Sequence, residues 1–179
     1  TLLQGKVSVR ATATGELVRA LKAPPVVAGA GDFLCYSISI SADGRYVVFD
    51  SEASNLVPGD TNGVSDIFVY DRFQGSTERV SVNTGGYEAN GPSYAASISA
   101  DGRWVQWLED SKGDEIGHWV RVPFEAATPD PGSEAAGAAA KAEPVDLTPE
   151  LPGYTSDHLV TSPDGTRLAF VAAMDDGSN

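Results

Sequence analysis

The 179-residue chain predicts an all-β fold of repeated antiparallel hairpins, and three observations predict it. The motif Ser41-Ala42-Asp43-Gly44 recurs at 99–102 and returns as Ser162-Pro163-Asp164-Gly165, a period of about 60 residues. Each copy lies between a run of small and β-branched residues and an aromatic or β-branched run. Between the copies lies a second hairpin pattern, again alternating and again turned at a glycine.

The elements follow in order. Ser37 to Ile40 and Ala95 to Ile98 precede the Asp-Gly turns and form a strand A. Arg45 to Phe49, Arg103 to Trp107 and Arg167 to Phe170 follow the turns and form a strand B, with Phe49, Trp107 and Phe170 in register. An Asp-Gly pair between alternating segments is a hairpin signal because glycine accepts the positive φ of a tight turn. Strand C is Ile67 to Tyr70 and strand D is Thr77 to Val82, turned at Gly75. In the next unit strand C is Trp119 to Val122 and strand D is Pro144 to Leu147. Val7-Ser8-Val9, Gly15 and Arg19 match Ile67-Phe68-Val69, Gly75 and Arg79, so the chain opens on a C-D hairpin. Ala126 to Ala142, rich in Ala, Gly, Pro and Glu, reads as a flexible insertion within the second full unit of one domain spanning 1–179.

The order C-D, A-B-C-D, A-B-C-D, A-B makes about three copies of a four-stranded antiparallel unit, which is the signature of a β-propeller blade. Three blade equivalents do not close a propeller. The chain is therefore expected to be part of a longer propeller, or to be completed by other chains, for instance by exchange of half-blades in a homo-oligomer. Antiparallel order places the B-C and D-A loops on one face and the A-B and C-D turns on the other. Ser51 to Asp66 and Asn83 to Tyr94 thus share a face, which is the expected binding face.

A resemblance runs from about Lys6 to Phe170 and is closest over 36–82. The Ser-(Ala/Pro)-Asp-Gly-Arg turn, the segment Ala53-Ser54-Asn55-Leu56-Val57-Pro58-Gly59-Asp60-Thr61-Asn62-Gly63, and Asp66-Ile67-Phe68-Val69-Tyr70-Asp71-Arg72 resemble the TolB-type (WD-repeat-like) propeller repeat of bacterial envelope and secreted proteins. The second unit keeps the hairpin and loses the Asp-Thr-Asn-Gly segment. The resemblance implies a propeller in a bacterial periplasmic or extracellular setting, and no single activity.

Composition narrows the partners. Twelve basic against 25 acidic side chains give a net charge of −13, and no Lys/Arg cluster interrupts it, so phosphate backbones and anionic lipid are disfavoured. No nucleic acid is expected. Apolar runs are too short for a membrane span. Cys35 is the single cysteine and offers no intrachain disulfide. The start at Thr1 reads as a processed chain or a piece of a longer one, any signal peptide already removed.

Few residues suggest chemistry. Asp60, Asn62 and Asp66 set three oxygen ligands around a glycine turn, as calcium loops do, which makes calcium the one candidate cofactor. The bidentate acid of such a loop would fall at Asp71, already in a strand; the alternative is that Asp60 and Asn62 make Asx-turns and Asp66 caps strand C. Asp43, Asp101 and Asp164 recur before glycine and read as turn residues. Trp104, Trp107 and Trp119 crowd one blade and read as core, with stacking on a sugar or peptide as the alternative. His118 and His158 lack partners at ligand spacing, Gly91 to Ala95 lacks the helix that a nucleophile elbow needs, and Glu109, Asp110, Asp114 and Glu115 read as a solvated acidic loop. No catalytic residue is assigned. The leading expectation is a non-enzymatic module that binds a protein or polymer partner, or other propeller chains. Its alternatives are a propeller that gates a prolyl-oligopeptidase-like hydrolase and a structural subunit assembling by half-blade exchange.

Overall fold

A computed structural model of the chain describes residues 7–10, 17–21, 37–110, 112–124, 142–156, 159–162 and 166–174. These residues form twelve strands and no helix. Strands β3 (Ile38–Ile40), β4 (Tyr46–Ser51), β5 (Asp66–Asp71) and β6 (Ser76–Arg79) make one antiparallel four-stranded sheet in chain order. A second such sheet holds β7 (Ser93–Ile98), β8 (Trp104–Glu109), β9 (His118–Pro123) and β10 (Val145–Asp146). Two-stranded sheets complete the series: β1 (Val7–Arg10) with β2 (Leu17–Leu21), and β11 (Leu159–Thr161) with β12 (Leu168–Phe170). The observed order is the expected C-D, A-B-C-D, A-B-C-D, A-B, made of blades that do not close into a ring. In the first hairpin Val9 pairs with Arg19 across a register shift, one residue from the pairing that the match to Phe68 and Arg79 implied.

The repeated turns follow one design. Ser41 Oγ donates to Asp43 Oδ1 at 2.6 Å, and Asp43 Oδ1 accepts the Arg45 amide at 3.0 Å. Ser99, Asp101 and Arg103 repeat this at 2.6 and 3.1 Å. Gly44 and Gly102 hold φ at 70° and 75°. Asp164 lies outside the described residues, yet the Arg167 amide donates to Ser162 Oγ at 3.0 Å, as Tyr46 does to Ser41 and Trp104 to Ser99. Arg167 thus takes the place of Tyr46 rather than Arg45, and Phe170 keeps its register.

Because strand side chains alternate faces, each inner strand feeds two cores. Tyr46, Val48, Ile67 and Val69 of the first blade meet Ala96, Ile98, Val105, Trp107, Val120 and Val122 of the second. On the first blade's other face Val47 and Phe49 pack with Phe68, the two rings stacked 5.8 Å apart. On the second blade's far face Leu108 and Trp119 meet Tyr154, Leu159, Leu168 and Phe170. Trp107 and Phe170 pack against the preceding blade, and Phe49 lies on the equivalent face of β4, packed on Phe68 of its own blade, so the three hold the register read from sequence. Trp107 and Trp119 are fully buried, and the indole of Trp104 lies under the Arg121 guanidinium at 4.4 Å. Trp107 and Trp119 are core, and Trp104 is half-buried. The Ala126 to Ala142 insertion lies, except for Ala142, outside the described residues.

Candidate functional site

The A strands β3, β7 and β11 lie side by side and form one wall. Where neighbouring blades meet, hydroxyls on and just before β3 hold amides on β7: Ser37 Oγ accepts from the Ala96 amide at 2.8 Å, and Ser39 Oγ from the Ile98 amide at 3.2 Å. β7 is the edge strand of its sheet, so alternate amides point away from β8, and it carries a bulge between Tyr94 and Ser97, with Ala95 at φ 56°. Bulges bend a strand and re-aim its groups, and a left-handed alanine stores strain that its surroundings must hold. On the other side Thr161 Oγ1 of β11 donates to the buried Gln106 Oε1 at 3.2 Å.

In front of this wall runs an open groove of about 1120 Å³. The exposed large apolar side chains of its lining are Ile38, Ile40 and Val160, at 54%, 43% and 63%. Its acids are Asp50, Glu52 and Glu115, and among the described residues no lysine, arginine or histidine lines it. The groove runs the length of the A strands, from Asp50, Tyr94 and Thr155 at the end of the B-C and D-A loops to Ala42 and Ala100 at the A-B turns.

Beside the groove, the first blade's two loops on this face are clamped together. Arg79 Nη1 lies 2.9 Å from Glu88 Oε1, 3.3 Å from Asp66 Oδ2 and 3.5 Å from Asp60 Oδ1, while Nη2 donates to the Gly59 carbonyl at 3.2 Å. Glu88 also takes the amide of Thr61, and its Oε2 accepts from Thr61 Oγ1 at 2.8 Å. Hydrogen bonds from Thr61 and Arg79 draw the Glu88 carboxyl down to about 2. Burial, and then the charge of Asp66, push Asp60 up to about 6.

The calcium candidates Asp60, Asn62 and Asp66 are therefore brought together, but around a guanidinium. Asn62 Nδ2 donates to Asp66 Oδ2 at 3.0 Å, and Asn62 Oδ1 caps the Val64 amide at 3.2 Å in an Asx-turn. Asp66 Oδ1 accepts from Ser81 Oγ at 2.5 Å. Asp71 is at the far end of β5, paired with Arg45 at 2.7 Å. A calcium ion here would compete with Arg79 for the same oxygens. Among the described residues no group of three or more His, Cys, Asp or Glu is placed to hold a metal.

Three expectations need amendment or completion. Asp110 is not solvated: it is fully buried and accepts the amides of Lys112, Gly113 and Glu115 at 3.0, 2.6 and 2.7 Å. Burial alone would raise its carboxyl, but these amides hold it low. His118 does have a carboxylate, Asp146 at 3.1 Å, delivered by β10 across a sequence gap that spacing does not reveal; His158 lies outside the described residues. Ser93 opens a strand, as the rejection of a nucleophile elbow requires. Sequence reasoning missed Asp50, Arg79 and Glu88. Asp50 did leave a signal, since it stands where the second repeat has Leu108.

No family model and no curated protein matches the chain. Solved structures do. A structure described as a putative TolB from Agrobacterium tumefaciens aligns over 92% of this chain and 44% of its own, with a TM-score of 0.52 at 18% identity. The hydrazine synthase of Kuenenia stuttgartiensis aligns over 94% of this chain and 51% of its own, with a TM-score of 0.51 at 13% identity. TolB from Acinetobacter baumannii aligns over 97% and 44%, with a TM-score of 0.46 at 15% identity. The chain thus spans about half the length of the structures it matches. At these identities the first two likenesses establish the fold, a TolB-like arrangement of β-propeller blades.

Proposed function

We propose that the chain is a non-enzymatic β-propeller binding module of a bacterial envelope or extracellular protein, and that it takes a protein partner on its B-C and D-A loop face. The groove along the A strands carries this reading. It is open, joins exposed apolar side chains to hydroxyls and carboxylates, and is held by hydrogen bonds between blades rather than by one flexible loop. Concave surfaces with few, placed polar groups are where ligands bind, and loops on a rigid scaffold are where partners are read. The envelope setting rests on the resemblance of 36–82 to TolB-type repeats. A fold shared by a TolB and a hydrazine synthase carries no activity by itself, so the reading rests on the groove.

Photo-crosslinking residues at Ile38 and Val160, compared with one at Phe73 on the opposite turn face, test it in cells that make the protein. A common adduct from the two groove positions and none from Phe73 is expected. The same adduct from all three, or none from the groove, would sink the reading.

A further inference from the structure

Among the described residues none of the groove's three acids is paired with a cation, and Asp50 is the buried one. It is fully buried; its Oδ1 accepts the amide and the hydroxyl of Ser37, both at 2.6 Å, and its Oδ2 has no hydrogen-bond partner among the described residues. Other buried acids are provided for: Asp60 and Asp66 share Arg79, Asp71 holds Arg45, and Asp110 takes three amides. A buried carboxylate oxygen without a partner is costly and is retained where it is used. The blade itself does not require it, because Leu108 fills the equivalent position in the second repeat.

Granting that the groove is the binding site, we propose that it receives an extended basic segment of a partner protein, with a lysine or arginine head against Asp50. Three observations converge. Among the described lining residues the acids Asp50, Glu52 and Glu115 face no basic one, on a chain of net charge −13. The unpartnered oxygen of Asp50, closed to solvent behind the groove wall, would give a charge-assisted hydrogen bond, the strong kind, to a head that displaces the side chains over it. Ile38, Ile40 and Val160 give apolar surface along which the methylene stem of Lys or Arg can lie while its head reaches the acid. The open volume suits a chain segment, whereas a lone small cation would leave those apolar side chains in water.

The test is an NMR titration of the ¹⁵N-labelled full chain with a capped Val-Arg-Val-Arg-Val peptide and with its citrulline counterpart, equal in shape but neutral. The arginine peptide is expected to shift the amides of Ser39, Ser97 and Thr161 saturably, and the citrulline peptide to bind at least tenfold more weakly. Asp50→Asn should weaken the arginine peptide at least tenfold, and the exposed Glu52→Gln two- to threefold. Equal binding of both peptides at the groove, or an unchanged affinity in Asp50→Asn, would overturn the cationic partner and leave the groove as a site. Movement of no groove amide with either peptide would overturn the site itself. Should Asp50→Asn not fold, Val160→Lys at an exposed strand position places an ammonium in the groove, and an undiminished affinity there would contradict the proposal.

Discussion

The guanidinium of Arg79 lies 3.3 Å from the carboxylate of Asp66, both buried, and ties strand β6 to the start of β5. Through Asp60 and Glu88 the same group holds the B-C loop to the D-A loop. Removing it leaves three acids facing one another without a counter-charge. Arg79→Met is expected to cost about 3–5 kcal/mol, the usual loss when one member of a buried pair is removed. Denaturant melts of the variant check this, and a loss under about 1 kcal/mol would mean the clamp is solvated.

Calcium at Asp60, Asn62 and Asp66 has a condition attached, since Arg79 already sits among their oxygens. Millimolar calcium is expected to leave the melting temperature of the natural chain where chelator puts it, and to raise that of Arg79→Gln, because a ligand held only by the folded state stabilises it by mass action. A rise in the natural chain would show that the ion displaces the guanidinium.

The clamp also responds to pH. With Asp60 raised to about 6, the folded chain holds a proton between pH 4 and 6 that the unfolded chain has released. Stability therefore falls through this group as pH rises across that window. Asp60→Asn removes the dependence, so its melting temperature relative to the natural chain should improve from pH 4 to pH 7. A constant difference across that range would rule out the raised carboxyl.

Gly117, just before β9, has no room for a methyl group: a Cβ there would lie 2.1 Å from the Glu109 carbonyl oxygen. Backbone cannot step aside cheaply, so Gly117→Ala should destabilise by more than about 2 kcal/mol, above the ordinary cost of alanine at an unsuitable glycine. Gly113→Ala meets nothing within 4 Å and is strained only by its φ of 75°. The two melts compared would expose a misplaced β8–β9 register.

Trp107 fills the junction between the two full blades. Trp107→Ala is expected to cost about 3–5 kcal/mol, as large-to-small core changes do, and to loosen both blades together. Hydrogen exchange that quickens in the second blade alone would show that the blades are not packed as one body.

Much of this fold was written in local pattern. Alternation, an Asp-Gly turn and the recurrence of both were enough to place Phe49, Trp107 and Phe170 on equivalent faces, because a period of two leaves only two choices and burial selects one. The site was less legible. Arg79 is 13 residues beyond Asp66 and Glu88 nine further on, and nothing in their spacing says that the C-D hairpin folds the guanidinium back between them. His118 and Asp146 meet only because β9 pairs β10 across the insertion. The bulge at Ala95 has no glycine to announce it. Asp50 was visible in principle as an acid where its repeat has leucine, but only the structure shows the groove in front of it.

The A strands of neighbouring blades form a single wall, on which the groove is built. The Ala96 amide reports on this most directly, since its partner is Ser37 Oγ on the adjacent blade rather than a strand of its own sheet. Its hydrogen exchange, measured in the natural chain and in Ser37→Ala, is the measurement to make. Protection of Ala96 that drops at least tenfold in the variant, while the β8 and β9 amides keep theirs, is the predicted result. An Ala96 amide that exchanges freely in the natural chain, or is unaffected by the substitution, would contradict the wall and the groove built on it.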